Sequence, residues 1–80
     1  MSTDARLSQV SKAVLRFAQR HNVTYHGRIV YLTGDGCVQH VTDDTTILHL
    51  AEALDVLPTV GALCSIKYSH GYAVVAVVHT

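Results

Sequence analysis

The sequence predicts an α+β protein: one N-terminal amphipathic helix packed on a small, strongly bent antiparallel β-sheet, or an SH3-like barrel, of about five strands. Apolar residues first recur at helical spacing, and β-branched and aromatic residues separated by glycine turns follow. A chain of 80 residues has room for one compact core. We therefore predict a single domain, residues 1–80, with the helix over 1–21 and a β domain over 22–80.

The helix is predicted from about Asp4 to His21. Apolar side chains spaced three or four residues apart would form its buried stripe: Leu7, Val10, Val14 and Phe17. Basic side chains, each four residues from the next, would form an opposite face: Lys12, Arg16 and Arg20.

A first β-hairpin follows the helix. Residues 23–32 are rich in β-branched and aromatic side chains and predict a strand. The turn Thr33-Gly34-Asp35-Gly36 supplies glycines for the positive φ angles of a tight turn, so residues 37–42 form the return strand.

The next segment has two interpretations. Residues 45–50 fit a short strand, whereas the spacing of Ile47, Leu50 and Leu54 fits a helical face. We predict a strand over 46–49 and then a turn or two of helix through Asp55.

A second hairpin ends the chain. A turn containing Pro58 and Gly61 precedes an alternating strand over 62–68, and Ser69-His70-Gly71 connects it to a strand over 72–78. That last strand is apolar on both faces, so we expect it to be the most buried.

Composition restricts the classes of function. Hydrophobic residues make up 49% of the chain and charged residues 15%, so the chain should fold. The formal net charge is zero, which leaves little repulsion between copies, and we expect a homodimer or a bound partner. The chain shows no membrane-spanning run and no signal peptide, which predicts a cytoplasmic location.

The two cysteines, Cys37 and Cys64, are interpreted as buried free thiols, with a single disulfide between strands as the alternative.

The sequence shows no motif for catalysis. The six histidines have no pair at the spacing of a metal site, and no nucleophile motif or phosphate-binding loop is present. We therefore predict a protein that is not an enzyme, with no catalytic residues, cofactor or metal. A metal site assembled only by the fold is the alternative.

Charge is separated along the chain. Four basic residues and one acidic residue give residues 1–21 a charge of +3, whereas residues 22–80 carry −3. The basic stripe and the second hairpin are the candidate surfaces for a partner. The candidate partner-binding residues are Lys12, Arg16, Arg20, Arg28, Lys67, Tyr68, His70 and Tyr72. The alternative interpretation of Tyr68 and Tyr72 is that they cover the core.

The β portion, residues 24–75, resembles the KfrB domain. The resemblance rests on the order of short elements: Tyr25-His26-Gly27-Arg28-Ile29, Val38-Gln39, Leu48-His49, Leu54, Pro58 with Gly61, and Ile66-Lys67-Tyr68-Ser69-His70-Gly71. It implies residence on a plasmid or other mobile element and brings no known catalytic site.

The expected function is therefore that of a small interaction protein of a plasmid, phage or other mobile element, which binds a protein partner. One alternative is an inhibitor of a host defence complex, of the anti-CRISPR type. Another is weak nucleic-acid binding through the basic stripe, because three phosphate contacts give only modest affinity.

Overall fold

Six strands form one mixed sheet, in the order β1-β4-β3-β2-β5-β6. The computed structural model describes residues 14–78. The strands are β1 (Val14–Phe17), β2 (Val23–Leu32), β3 (Gly36–Thr42), β4 (Thr45–Leu50), β5 (Leu63–Ser69) and β6 (Tyr72–Val77), and a 3₁₀ turn (Ala51–Ala53) follows β4.

The predicted α+β class and its N-terminal helix are wrong. Residues 14–17 are extended and pair in parallel with β4, from Val14 opposite Thr45 to Phe17 opposite Leu48. The 3₁₀ turn is the only helical element within residues 14–78. This part of the chain therefore contains no helix long and apolar enough to cross a membrane. Short apolar runs fit a helix or a strand, and here β4 supplies the backbone partners that decide between them.

No part of the predicted helix is therefore present within residues 14–78. Its first part, including Lys12, lies outside the described residues. Because β1 is parallel to β4, the sheet is also mixed rather than antiparallel.

Both predicted hairpins are present. β2 and β3 pair antiparallel, and the backbone N–H of Thr33 donates to the carbonyl of Gly36 over 2.9 Å. The positive φ predicted for the glycines of this turn is wrong, because neither Gly34 nor Gly36 has one. β5 and β6 pair antiparallel through a turn in which His70 and Gly71 have φ of 55° and 87°. Glycine reaches such positive φ without a steric penalty.

The segment after β4 returns to the far edge of the sheet. β4 is a strand over Thr45–Leu50, and the predicted helix after it is only the 3₁₀ turn. Leu54 then forms a parallel bridge with Ala73 of β6. Irregularities in register at Ile29/Tyr31 and His40/Thr42 bend the strands between these two ends. The sheet thus curves so strongly that Leu54, in the segment after β4, pairs with Ala73 of β6.

Asp55 covers part of the β6 edge. Its backbone N–H donates to the carbonyl of Ala73 over 3.0 Å, and its Oδ1 accepts from the N–H of Val75 over 2.9 Å. An edge strand with satisfied backbone groups is a poorer template for adding further strands.

The core lies on the concave side of the curved sheet. Its buried members are Ile29, Cys37, Ala53, Cys64, Ile66, Tyr68 and Ala73. Both thiols are free and buried, as predicted. Burial, and then the neighbouring Cys64, raises the pKa of Cys37 to about 11.

The expectation that β6 is the most buried strand is wrong. Tyr72 and Val74 are 70% and 62% exposed, whereas Ala73 is buried. β6 lies at the edge of the sheet, so only the face containing Ala73 and Val75 packs on the core.

Two glycines of the first hairpin provide a matched test of packing. A Cβ on Gly36 would collide with the backbone carbonyl oxygen of His49, whereas a Cβ on Gly34 would meet nothing within 4 Å. We expect Gly36→Ala to lower the free energy of unfolding by about 2 kcal/mol or more. Gly34→Ala should change it by less than about 0.5 kcal/mol. Urea unfolding of both variants checks this, and equal stabilities would contradict the register of β3 against β4.

Candidate functional site

A hydrogen-bonded network of Gln39, His49 and Tyr68 lies in the interior. All three side chains are between 0% and 1% exposed. Nε2 of Gln39 donates to the backbone carbonyls of Cys64 and Gly27 over 2.9 and 3.0 Å. Its Oε1 lies 2.8 Å from Nε2 of His49, and the hydroxyl of Tyr68 lies 2.6 Å from Nδ1 of the same ring.

These contacts assign the proton on the imidazole. The amide nitrogen of Gln39 faces carbonyls, so its Oε1 must accept from Nε2–H of His49. Nδ1 is then the acceptor, and the hydroxyl of Tyr68 donates to it. The network therefore holds His49 in its neutral form with the proton on Nε2.

Burial keeps both titratable groups of the network uncharged near neutral pH. Desolvation lowers the pKa of His49 from 6.5 to about 4. Desolvation is the largest of the effects that raise the pKa of Tyr68 from 10.0 to about 12. The two rings stack with centroids 5.6 Å apart, and Tyr25 contacts both edge-on. The network thus links β3, β4 and β5 to each other and to the backbone of β2.

Residues 14–78 contain no group of three or more His, Cys, Asp or Glu side chains able to hold a metal ion.

The convex side of β2, β5 and β6 is exposed and is here called the outer face. On these strands the side chains that alternate with the core residues point to this side: Thr24, His26, Arg28, Ser65, Lys67, Ser69, Tyr72, Val74 and Ala76. Thr24, Lys67 and Val74 form one row across the three strands, and His26, Ser65 and Ala76 form the next.

The outer face is basic. Arg28, Lys67 and His26 belong to it, and none of the three strands contains a carboxylate. The acidic residues of the described chain lie in the turns of the first hairpin and of β3–β4, in the 3₁₀ turn and just after it: Asp35, Asp43, Asp44, Glu52 and Asp55.

A groove of about 500 Å³ lies beside the second hairpin. Lys67, Tyr72 and Val74 of the outer face line one side, and Leu54 and Asp55 line the other. It combines one cation, one carboxylate, an aromatic ring and aliphatic surface.

The structure brings several of the predicted partner-binding residues to this region. Lys67 and Tyr72 line the groove, and His70 is exposed in the adjoining turn. The backbone N–H of Gly71 donates to the carbonyl of Arg20 over 3.0 Å, which places Arg20 at the same hairpin. Arg28 lies on the outer face, where its Nη1 donates to the carbonyl of Gly61 over 2.6 Å.

Three predicted residues do not join them. Tyr68 is 1% exposed, so its assignment to the partner surface is wrong: its hydroxyl is committed to His49. Arg16 lies on β1 at the opposite edge of the sheet, and Lys12 is outside the described residues. Within residues 14–78, Arg16 and Arg20 are therefore not side chains of one helix, as the basic stripe required.

Sequence reasoning missed the other wall of the groove. Leu54 and Asp55 reach the hairpin through the bridge between Leu54 and Ala73 and through the hydrogen bonds of Asp55 to β6. No local pattern indicates a contact between residues so far apart in the chain.

The network provides a first stability test. Replacing Tyr68 by Phe leaves Nδ1 of His49 buried without a donor and should lower the free energy of unfolding by about 1–3 kcal/mol. Tyr72→Phe is the matched control, because Tyr72 is 70% exposed and loses a hydroxyl in water. Equal losses in urea unfolding at pH 7 would show that the network does not stabilise the fold.

The network also predicts how stability depends on pH. Below pH 6.5 the unfolded chain protonates His49, while the folded protein does not until about pH 4. The free energy of unfolding that His49 contributes by staying neutral is therefore complete above pH 6.5. It decreases as the pH falls and is lower by about 2 kcal/mol at about pH 5. Urea unfolding over this range measures it, and the variant His26→Asn, which changes an exposed ring, should keep the same decrease. A stability that is flat from about pH 7 to about pH 5 would contradict a neutral buried His49.

In the comparison with protein families, residues 24–77 match the KfrB domain. Curated proteins and solved structures give no match. The matched residues run from β2 to β6 and include Gln39, His49 and Tyr68. The match covers more than half of the 80 residues, and the chain therefore belongs to the KfrB domain family.

Proposed function

We propose that this KfrB domain is a cytoplasmic, non-enzymatic interaction protein of a plasmid, phage or other mobile element, and that it binds a protein partner with the groove and the outer face. The two free, buried thiols support a reducing compartment.

The observation that carries the proposal is the groove. Tyr72 and Val74 are the most exposed apolar side chains of the second hairpin, and they form one wall beside the exposed Lys67. An aromatic residue with an aliphatic neighbour and a cation is typical of the energetically dominant part of protein interfaces. His49 and Tyr68 are buried and bonded to each other, so neither side chain is open to a substrate.

An inhibitor of a host defence complex would use the same surface. It differs from the first proposal in the identity of the captured protein, which is a subunit of a defence complex rather than a component of the mobile element.

Nucleic-acid binding has less support. Arg16 lies on β1 whereas Arg20 lies at the second hairpin, and Tyr72 is the only aromatic side chain of the outer face. Single-stranded nucleic acids are held by several aromatic rings along a basic track.

Affinity purification from the source cells tests the proposal with a pair of tyrosines. Tyr72 and Tyr31 are 70% and 46% exposed, but only Tyr72 lines the groove. We expect a protein to be retained by the wild type and by Tyr31→Ala, and to be bound about tenfold more weakly by Tyr72→Ala.

Two results would contradict the proposal. One is a captured protein that both variants retain equally, and the other is recovery of nucleic acid without a protein. Capture of a second, differently tagged copy that depends on Tyr72 would identify the partner as the same chain.

A further inference from the structure

We infer that the partner presents an extended acidic segment, with an apolar side chain packed on Tyr72 and Val74 and a carboxylate paired with Lys67. This inference rests on the proposed function and specifies the chemistry of the partner.

The charges around the groove favour an anionic segment. Lys67 is exposed and has no ion-pair partner among residues 14–78. The carboxylate on the opposite wall, that of Asp55, already accepts from the backbone N–H of Val75. The groove therefore offers an unpaired cation and a carboxylate that is already hydrogen-bonded.

The rest of the outer face also carries positive charge, at Arg28. Arg28 and His26 extend the basic surface from Lys67 along β2, and no carboxylate interrupts it. A partner that meets Lys67 and Arg28 with acidic side chains gains attraction at these two positions, whereas a basic partner is repelled by them.

The shape of the apolar wall favours a peptide. Tyr72 and Val74 alternate with the buried Ala73 and so lie on the same side of β6. Side chains that alternate along an extended peptide have the same period as those of a strand. A peptide lying along β6 can thus place an apolar residue on this wall and an acidic residue near Lys67, which is opposite Val74 in register.

The test uses random peptides displayed on phage, selected against the whole chain. We expect the recovered peptides to be enriched in Asp and Glu next to apolar residues. One of them is then synthesised with a fluorescent label, together with a version in which every Asp is Asn and every Glu is Gln.

Fluorescence anisotropy compares three proteins. Lys67→Glu should weaken binding of the acidic peptide about tenfold or more. Arg16→Glu makes the same change of charge at the opposite edge of the sheet and should weaken it less than about threefold. The amide version of the peptide should bind the wild type about tenfold more weakly than the acidic version.

The unfolding curve of Lys67→Glu should match that of the wild type, and Lys67→Gln serves as a second variant if it does not. Peptides without acidic residues, or peptides indifferent to both Lys67 variants, would overturn the acidic segment and leave protein binding intact. Failure to recover any peptide, combined with binding of a labelled single-stranded oligonucleotide, would overturn both proposals.

Discussion

The fold depends on a polar network in the middle of an otherwise apolar core. Gln39 is the central residue, because its amide nitrogen binds the carbonyls of Gly27 and Cys64 while its oxygen binds His49. Removing three polar side chains from water costs free energy unless every hydrogen-bond donor and acceptor finds a partner in the protein. Here the partners come from four different strands, so the network is satisfied only when these strands are in their correct register.

This constraint also explains two features of the backbone. Gly27 lies where the strand approaches the carbonyl of His40 too closely for any side chain. That close approach, with the register shift at His40/Thr42, lets β3 bend across β2 while Gln39 reaches the carbonyls of its neighbours. The curvature that results brings Leu54 back to β6 and forms the second wall of the groove. The interior polar contacts and the exterior groove are thus two consequences of one bent sheet.

The sequence predicted the parts of this structure that local chemistry determines. Val23–Leu32 alternates and is followed by a glycine turn, so β2 and the first hairpin were predictable, as was the hairpin at Gly71. Val14–Phe17 was not, because its strand exists only through parallel pairing with β4, about 30 residues later in the chain. The same limit applies to the candidate site: Lys67 and Tyr72 belong to one hairpin, whereas Asp55 joins them by tertiary contacts. Tyr68 was assigned to the partner surface because a tyrosine beside a tight turn is typical of contact residues, although its alternation with Cys64 and Ile66 places it on the core face.

The three residues of the polar network lie in the part of the chain that matches the KfrB domain, and all three are buried. Gln39, His49 and Tyr68, which carry the resemblance to the KfrB domain, are inside the protein and bond to one another. A partner cannot touch them, so they specify the fold and its curvature. In the proposed function, recognition depends instead on side chains that project from that framework, such as Lys67, Tyr72 and Val74. These positions can change without disturbing the network, because they lie on the opposite side of the same strands. The chemistry of a partner for this chain is therefore to be inferred from its outer face rather than from its core.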